Sequence, residues 1–86
     1  MKNTTNTNNI QAIIAVYSHP ENGYAPAENL VKGTPYLVES VNMRGWSTDI
    51  TLCGIEGEFN SVQFDYFVNG QQVNIHTAPY CDYKVA

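Results

Sequence analysis

The sequence predicts an all-β protein, a small antiparallel barrel of five strands or, alternatively, two orthogonally packed sheets. Three observations indicate this class. Val, Ile, Thr, Tyr and Phe recur in short runs that alternate with polar residues. Gly, Pro and Asn stand between those runs, as they do in turns. No window carries apolar residues at the spacing of an amphipathic helix over three turns.

The chain of 86 residues is predicted to form one domain, residues 10–86, behind a disordered polar tail. Residues 1–9 are Asn and Thr with one Lys, and they hold no apolar side chain after Met1. Such a segment buries too little apolar surface to offset the entropy cost of ordering it, so we expect it to be flexible. No run is long enough for a membrane span or a secretory signal. We therefore expect no membrane association and a cytoplasmic location.

The charge balance is acidic, with four basic against eight acidic residues and a net charge of −4. Proteins that bind the phosphates of nucleic acids carry basic patches, so nucleic acid is not an expected partner. The two cysteines and two histidines show none of the close spacings that mark zinc sites. We expect no metal and no cofactor.

The first two predicted strands lie on either side of a long loop. Residues 10–17 are apolar on both faces of a strand, which predicts a central strand. Residues 18–29 contain two prolines and an Asn22–Gly23 turn signal, which predict a loop. In the second strand, residues 34–43, the apolar alternation changes phase near Glu39–Ser40. One inserted residue there would restore a single apolar face, so we expect a β-bulge that bends the strand.

Short turns separate the remaining predicted strands. The turns are expected at residues 44–47, 54–57 and 69–70, and the strands at residues 48–53, 61–68 and from 73 onward. In the fourth strand Val62, Phe64 and Tyr66 share one parity, which predicts that they face the core. Phe59, just before that strand, is expected to plug one end of the barrel.

The ordered part of the chain resembles small SH3-like barrels. The pattern L-x-K-G-x-x-Y-x-V that opens the second strand is formed here by Leu30, Lys32, Gly33, Tyr36 and Val38. More narrowly, the chain resembles a group of short uncharacterised proteins of phage, prophage and Firmicute genomes. The shared motifs are Y-S-H-P-x-N-G-Y at residues 17–24, K-G-x-x-Y-x-V at 32–38, T-x-I-x-L at 48–52 and F-N-S-V-x-F within 59–67. The resemblance implies an SH3-like fold and, for a phage-encoded chain, the host cytoplasm. It implies no reaction.

The turn at residues 44–46 is the first candidate for a binding site. Arg44 and Trp46 are of the types most enriched in interface hot spots, although Trp46 could instead fold back and cap the barrel. Tyr24 and His19 in the long loop would lie near this turn in an SH3-like fold. His19 could instead bond the local backbone, and Tyr24 could pack under its own loop. Asn60 is the last candidate, and the alternative is that its side chain satisfies its own loop.

No set of acid, base and nucleophile can be assembled from spacing, so we expect no enzymatic activity. We predict a non-enzymatic protein-interaction module, phage or mobile-element encoded, with a host or phage protein as partner. An inhibitor of a host defence system, of the anti-CRISPR kind, fits this class. The alternative is a small-molecule or nucleotide-signal binding protein, a sponge. Arg44 and Lys32 would then hold phosphate while Trp46 stacks on a base.

Overall fold

The computed structural model describes residues 12–23 and 25–85, so the predicted tail at residues 1–9 lies outside the described part of the chain. Within it the chain forms six strands and one short 3₁₀ helix. The strands are β1 (Ile14–Val16), β2 (Pro35–Met43), β3 (Thr48–Leu52), β4 (Ile55–Asn60), β5 (Asp65–Val68) and β6 (Gln71–Val73), and the 3₁₀ helix is Ser61–Gln63. The predicted all-β class is confirmed.

The six strands form one antiparallel sheet in the order β4-β3-β2-β1-β5-β6. The prediction that the first strand is central is confirmed, because β1 pairs with β2 on one side and β5 on the other. The predicted five-stranded closed barrel is wrong in two respects. The strand count is six, and the sheet is open, with β4 at one edge and β6 at the other.

The strand that the sequence did not predict is β4. Its residues Glu56, Gly57 and Glu58 have low strand propensity, and the sequence predicts a turn at residues 54–57. An edge strand tolerates them because its outer side faces solvent. The β3–β4 register shifts between Ile50 and Leu52, and Gly57 adopts a φ of 114°, a region that favours glycine. Tertiary pairing with β3 therefore overrides the weak local preference.

A bulge bends β2, as predicted. Its register against β3 shifts between Val38 and Ser40, and Val38 and Val41 are both buried despite their opposite parity. The first part of β2 pairs with β1, while residues 83–85 run beside the second part. There the Val41 N–H donates to the Tyr83 carbonyl at 2.8 Å. The bend curls the sheet, so that one face from both halves encloses the core.

Aromatic side chains fill the centre of this core. Phe64 lies 5.3 Å from Tyr17, 6.4 Å from Phe59 and 6.1 Å from Tyr66, measured between ring centroids. The predictions that Phe64 and Tyr66 are buried are confirmed, and Phe59 is buried as well. The prediction for Val62 is wrong, since its side chain is 46% exposed. The 3₁₀ helix interrupts the period-two alternation at that residue, so Val62 points away from the core.

No helix in the described residues is both long and apolar enough to span a membrane. Cys53, the last residue of a predicted strand, lies half-buried in the turn after β3. Cys53 and Cys81 are both free thiols.

Candidate functional site

Trp46 stands fully exposed on the turn between β2 and β3. The turn is closed by a hydrogen bond from the Arg44 N–H to the Ser47 carbonyl at 2.8 Å. The alternative that Trp46 folds back to cap the core is therefore wrong. An indole in this position leaves a large apolar surface in water, which is uncommon unless it serves a contact.

Arg44 is held by two carboxylates beside the turn. Its Nε donates to Asp49 Oδ2 at 2.8 Å, and its Nη2 donates to Glu58 Oε2 at 2.9 Å. These partners come from β3 and β4, so the guanidinium ties the base of the turn to two strands. The predicted role of Arg44 as a free donor to a phosphate receives no support from this arrangement. Its geometry is that of a residue that positions Trp46.

A shallow depression of about 340 Å³ opens beside the turn. Met43 at the end of β2 and Trp46 in the turn line it, together with Asn60 at the end of β4, Val62 in the 3₁₀ helix and His76 after β6. Met43 and Val62 are 45% and 46% exposed, so they add apolar surface to a lining that also holds polar side chains. Such a depression can accept one or two side chains of a partner and is too open to enclose a small molecule.

The long loop is fixed to the sheet through His19. Its Nε2 lies 3.2 Å from both carboxylate oxygens of Asp65, and its backbone N–H donates to the Gln63 carbonyl at 2.9 Å. His19 is half-buried, and these contacts place it in the attachment of the loop. The alternative that the His19 side chain bonds local backbone is wrong, because the ring contacts the Asp65 carboxylate instead. These partners, Asp65 and Gln63, are far away in the sequence.

Gln63 is the residue that organises the long loop, and sequence reasoning missed it. Its Nε2 lies 3.1 Å from the Pro20 carbonyl oxygen and 3.0 Å from those of Asn22 and Ala25. An amide has two N–H donors, so three acceptors share two hydrogens. Gln63 is only 3% exposed. No local sequence pattern predicts this role of Gln63, because the carbonyl groups that it bonds all lie on a distant loop.

Asn60 sits between two depressions. Its Oδ1 accepts the Val62 N–H at 3.2 Å and so caps the 3₁₀ helix, as the self-satisfying alternative for Asn60 predicted. Asn60 lines the depression at the turn and also a second one of about 350 Å³, between β4 and the long loop. Tyr24 lies outside the described residues.

A chain of hydrogen bonds joins Ser61, His76 and Asn74. Ser61 Oγ lies 3.2 Å from His76 Nε2, and His76 Nδ1 lies 3.1 Å from Asn74 Oδ1. The order resembles a nucleophile, a base and an orienting group. Ser61 is only 2% exposed, however, so its hydroxyl is closed to a substrate in this arrangement. The chain of bonds fixes the segment after β6 to the 3₁₀ helix.

Burial raises the pKa of Tyr66 far above its ordinary value of 10.0, and the neighbouring Asp65 carboxylate adds to the effect. The Tyr66 hydroxyl donates to the Ser61 carbonyl at 2.7 Å inside the core. In residues 12–23 and 25–85, no group of three or more His, Cys, Asp or Glu side chains could hold a metal ion.

The fold and site define a small all-β protein that presents an exposed tryptophan on a turn anchored by ion pairs. Residues 12–85 match the family model described as Bacteriophage T4 protein Y07B. The match spans most of the chain, and the chain belongs to this family. The predicted resemblance to phage proteins is thereby confirmed, while the description names no activity. Searches of curated proteins and of solved structures gave no match.

Proposed function

We propose that this protein is a non-enzymatic protein-interaction module whose contact surface is centred on the turn at residues 44–47. The observation that carries the proposal is the full exposure of Trp46 on a turn whose base Arg44 ties to two strands. A turn fixed at its base loses less backbone entropy on binding than a mobile one, and tryptophan is among the residue types most enriched in interface hot spots. The depression beside it gives the partner a place to pack.

We also propose a fold relationship to a known class of small β-barrels. We place the protein near SH3-like barrels, because a long loop follows β1 and a tight turn joins β2 to β3. The bend in β2 is a further feature that supports curling of the sheet. The open strand order and the sixth strand distinguish it from the five-stranded form.

We propose that the partner is a host protein. The specific candidate is a component of a host defence system, which this protein would inhibit in the host cytoplasm. Membership of a phage family supports a host-directed role. The nucleotide-binding alternative is disfavoured, because the Arg44 guanidinium is already bound to Asp49 and Glu58. A phosphate would have to displace two carboxylates.

The test is affinity capture from host lysate with three forms of the full chain: wild type, Trp46→Ala and Val31→Ala. Val31 is another exposed apolar residue and serves as the matched control. Wild type and Val31→Ala should retain the same protein, and Trp46→Ala should lose it. Each substitution is at an exposed position, so the free energy of unfolding should change by no more than about 0.5 kcal/mol. Equal capture by Trp46→Ala would refute the proposal.

The defence role needs a second measurement. Phages that carry the wild-type or Trp46→Ala allele are plated on hosts with and without each defence system. The variant should plate less efficiently only where a defence system is present. A plating defect on every host would rule out the defence role, and so would the absence of a defect on all hosts. Neither outcome would contradict the proposed interaction surface.

A further inference from the structure

Three large apolar side chains are exposed around one depression. Trp46 is fully exposed, Met43 and Val62 are nearly half exposed, and all three line the depression of about 340 Å³ at the turn. Single exposed apolar residues are common on protein surfaces. Apolar side chains grouped around a concave site instead mark a contact surface. The depression can therefore receive an aliphatic part of a partner side chain.

The charges beside this depression favour a basic partner. Arg44 lines the depression and contributes one positive charge. Its partners Asp49 and Glu58 do not line the depression but contribute two negative charges next to it, which leaves this group of three at −1. The whole chain carries −4. An acidic partner would meet a negative surface whose one cation is already neutralised, whereas a basic partner would be attracted.

Trp46 can bind a cation directly. Both faces of its ring are open, because the side chain is fully exposed. A guanidinium or ammonium over an indole, within about 6 Å of the ring centroid, is attracted by the ring, and tryptophan is the best of the aromatic residues at this. The aliphatic stem of such a side chain can at the same time cover apolar surface, here that of Met43 and Val62.

We propose, building on the interaction surface proposed above, that the partner presents a basic segment whose arginine or lysine stacks on Trp46. The stem of that side chain packs into the depression, and the carboxylates of Asp49 and Glu58 attract neighbouring basic residues. Nucleic acid is disfavoured by the same negative charge. A second copy of this chain is disfavoured as well, because two chains of −4 repel each other.

The first experiment uses a synthetic peptide of alternating arginine and leucine, titrated into the full chain. Trp46 is the only tryptophan, so its fluorescence reports this site alone. A saturable change is expected, and it should weaken as NaCl is added. A matched peptide with citrulline in place of arginine keeps the shape but removes the charge. It should bind about two- to fivefold more weakly, the loss of a cation over an exposed ring.

The second experiment measures binding of the arginine peptide by calorimetry to Trp46→Phe, Trp46→Leu and Val31→Ala. Phe keeps a π face and should retain part of the affinity, Leu should lose it, and Val31→Ala should match wild type. Equal affinity for the arginine and citrulline peptides would overturn the proposal. The same holds for the absence of saturable binding, for binding of duplex DNA at the turn, or for self-association lost in Trp46→Leu.

The two proposals fail in different ways. If Trp46→Ala loses a captured host protein while the two peptides bind equally, the interaction surface stands and the basic partner is excluded. If Trp46→Ala captures that protein as wild type does, the interaction surface itself is excluded.

Discussion

The side-chain amide of Gln63 donates to the carbonyl oxygen of Asn22 at 3.0 Å, although the two residues are 41 positions apart. The carbonyl oxygens of Pro20 and Ala25 lie equally close to the same nitrogen. A buried amide whose partners are main-chain oxygens of one loop fixes that loop to the 3₁₀ helix. Gln63 therefore holds the loop at three main-chain positions, in addition to the attachment through His19.

Gln63→Leu should destabilise the protein by about 1–3 kcal/mol, because it leaves carbonyl oxygens of the loop without a donor. Urea unfolding measures the change. Gln71→Leu is the control, since Gln71 is exposed at the start of β6, and it should shift stability by no more than about 0.5 kcal/mol. Equal urea midpoints for Gln63→Leu and wild type would show that the loop does not depend on this amide.

Arg44→Gln should loosen the turn without unfolding the protein. Arg44 and Glu58 are both about half exposed, so loss of the ion pairs should cost no more than about 1 kcal/mol. Time-resolved fluorescence anisotropy of Trp46, the only tryptophan, should nevertheless show faster local motion. Lys32→Gln, at an exposed lysine in another turn, is the control and should leave the anisotropy unchanged. Unchanged Trp46 motion in Arg44→Gln would mean that the ion pairs do not position the ring.

Gly57→Ala should destabilise the protein by roughly 1–2 kcal/mol, because alanine strongly disfavours a φ of 114°. Space is not the reason, since an added Cβ would meet only the Phe59 ring, at 3.6 Å. Gly45→Ala is a matched control, because nothing lies within 4 Å of its Cβ position and its φ is not positive. Thermal or urea unfolding compares the two. A smaller loss for Gly57→Ala than for Gly45→Ala would contradict the assigned strain.

Stability should fall as pH rises above about 10, because of Tyr66. Burial raises the pKa of this hydroxyl well above its ordinary value of 10.0. The unfolded chain therefore releases the proton at a pH where the folded chain still holds it, which favours unfolding in alkali. Urea unfolding between pH 8 and 11 should show the loss for wild type and a weaker pH dependence for Tyr66→Phe. Tyr83→Phe, at a half-buried tyrosine, should retain most of the wild-type dependence. An identical slope for Tyr66→Phe and wild type would exclude Tyr66 as the cause.

The order of apolar, polar and turn residues predicted those parts of the fold that depend on residues close together in the sequence. Three features were predicted from it: the burial of Phe64 and Tyr66, the bulge in β2 and the turn that carries Trp46. The strand β4 was not, because its glutamates and Gly57 become a strand only through pairing with β3. The ion pairs of Arg44 with Asp49 and Glu58 were not predicted, and the one with Glu58 depends on the pairing of β4 with β3. The contacts of Gln63 and of His19 depend on a distant loop and left no local signal.

The pairing of residues 83–85 with β2 has a consequence during protein synthesis. The second half of β2 has β3 on one side, and its other side is bonded only once residue 85 has left the ribosome. In a shorter nascent chain the Glu39 carbonyl and the Val41 N–H lack these hydrogen-bond partners and can pair with a strand of another chain. Chaperone contact with a stalled chain should therefore concentrate on that stretch and end when the last bond forms.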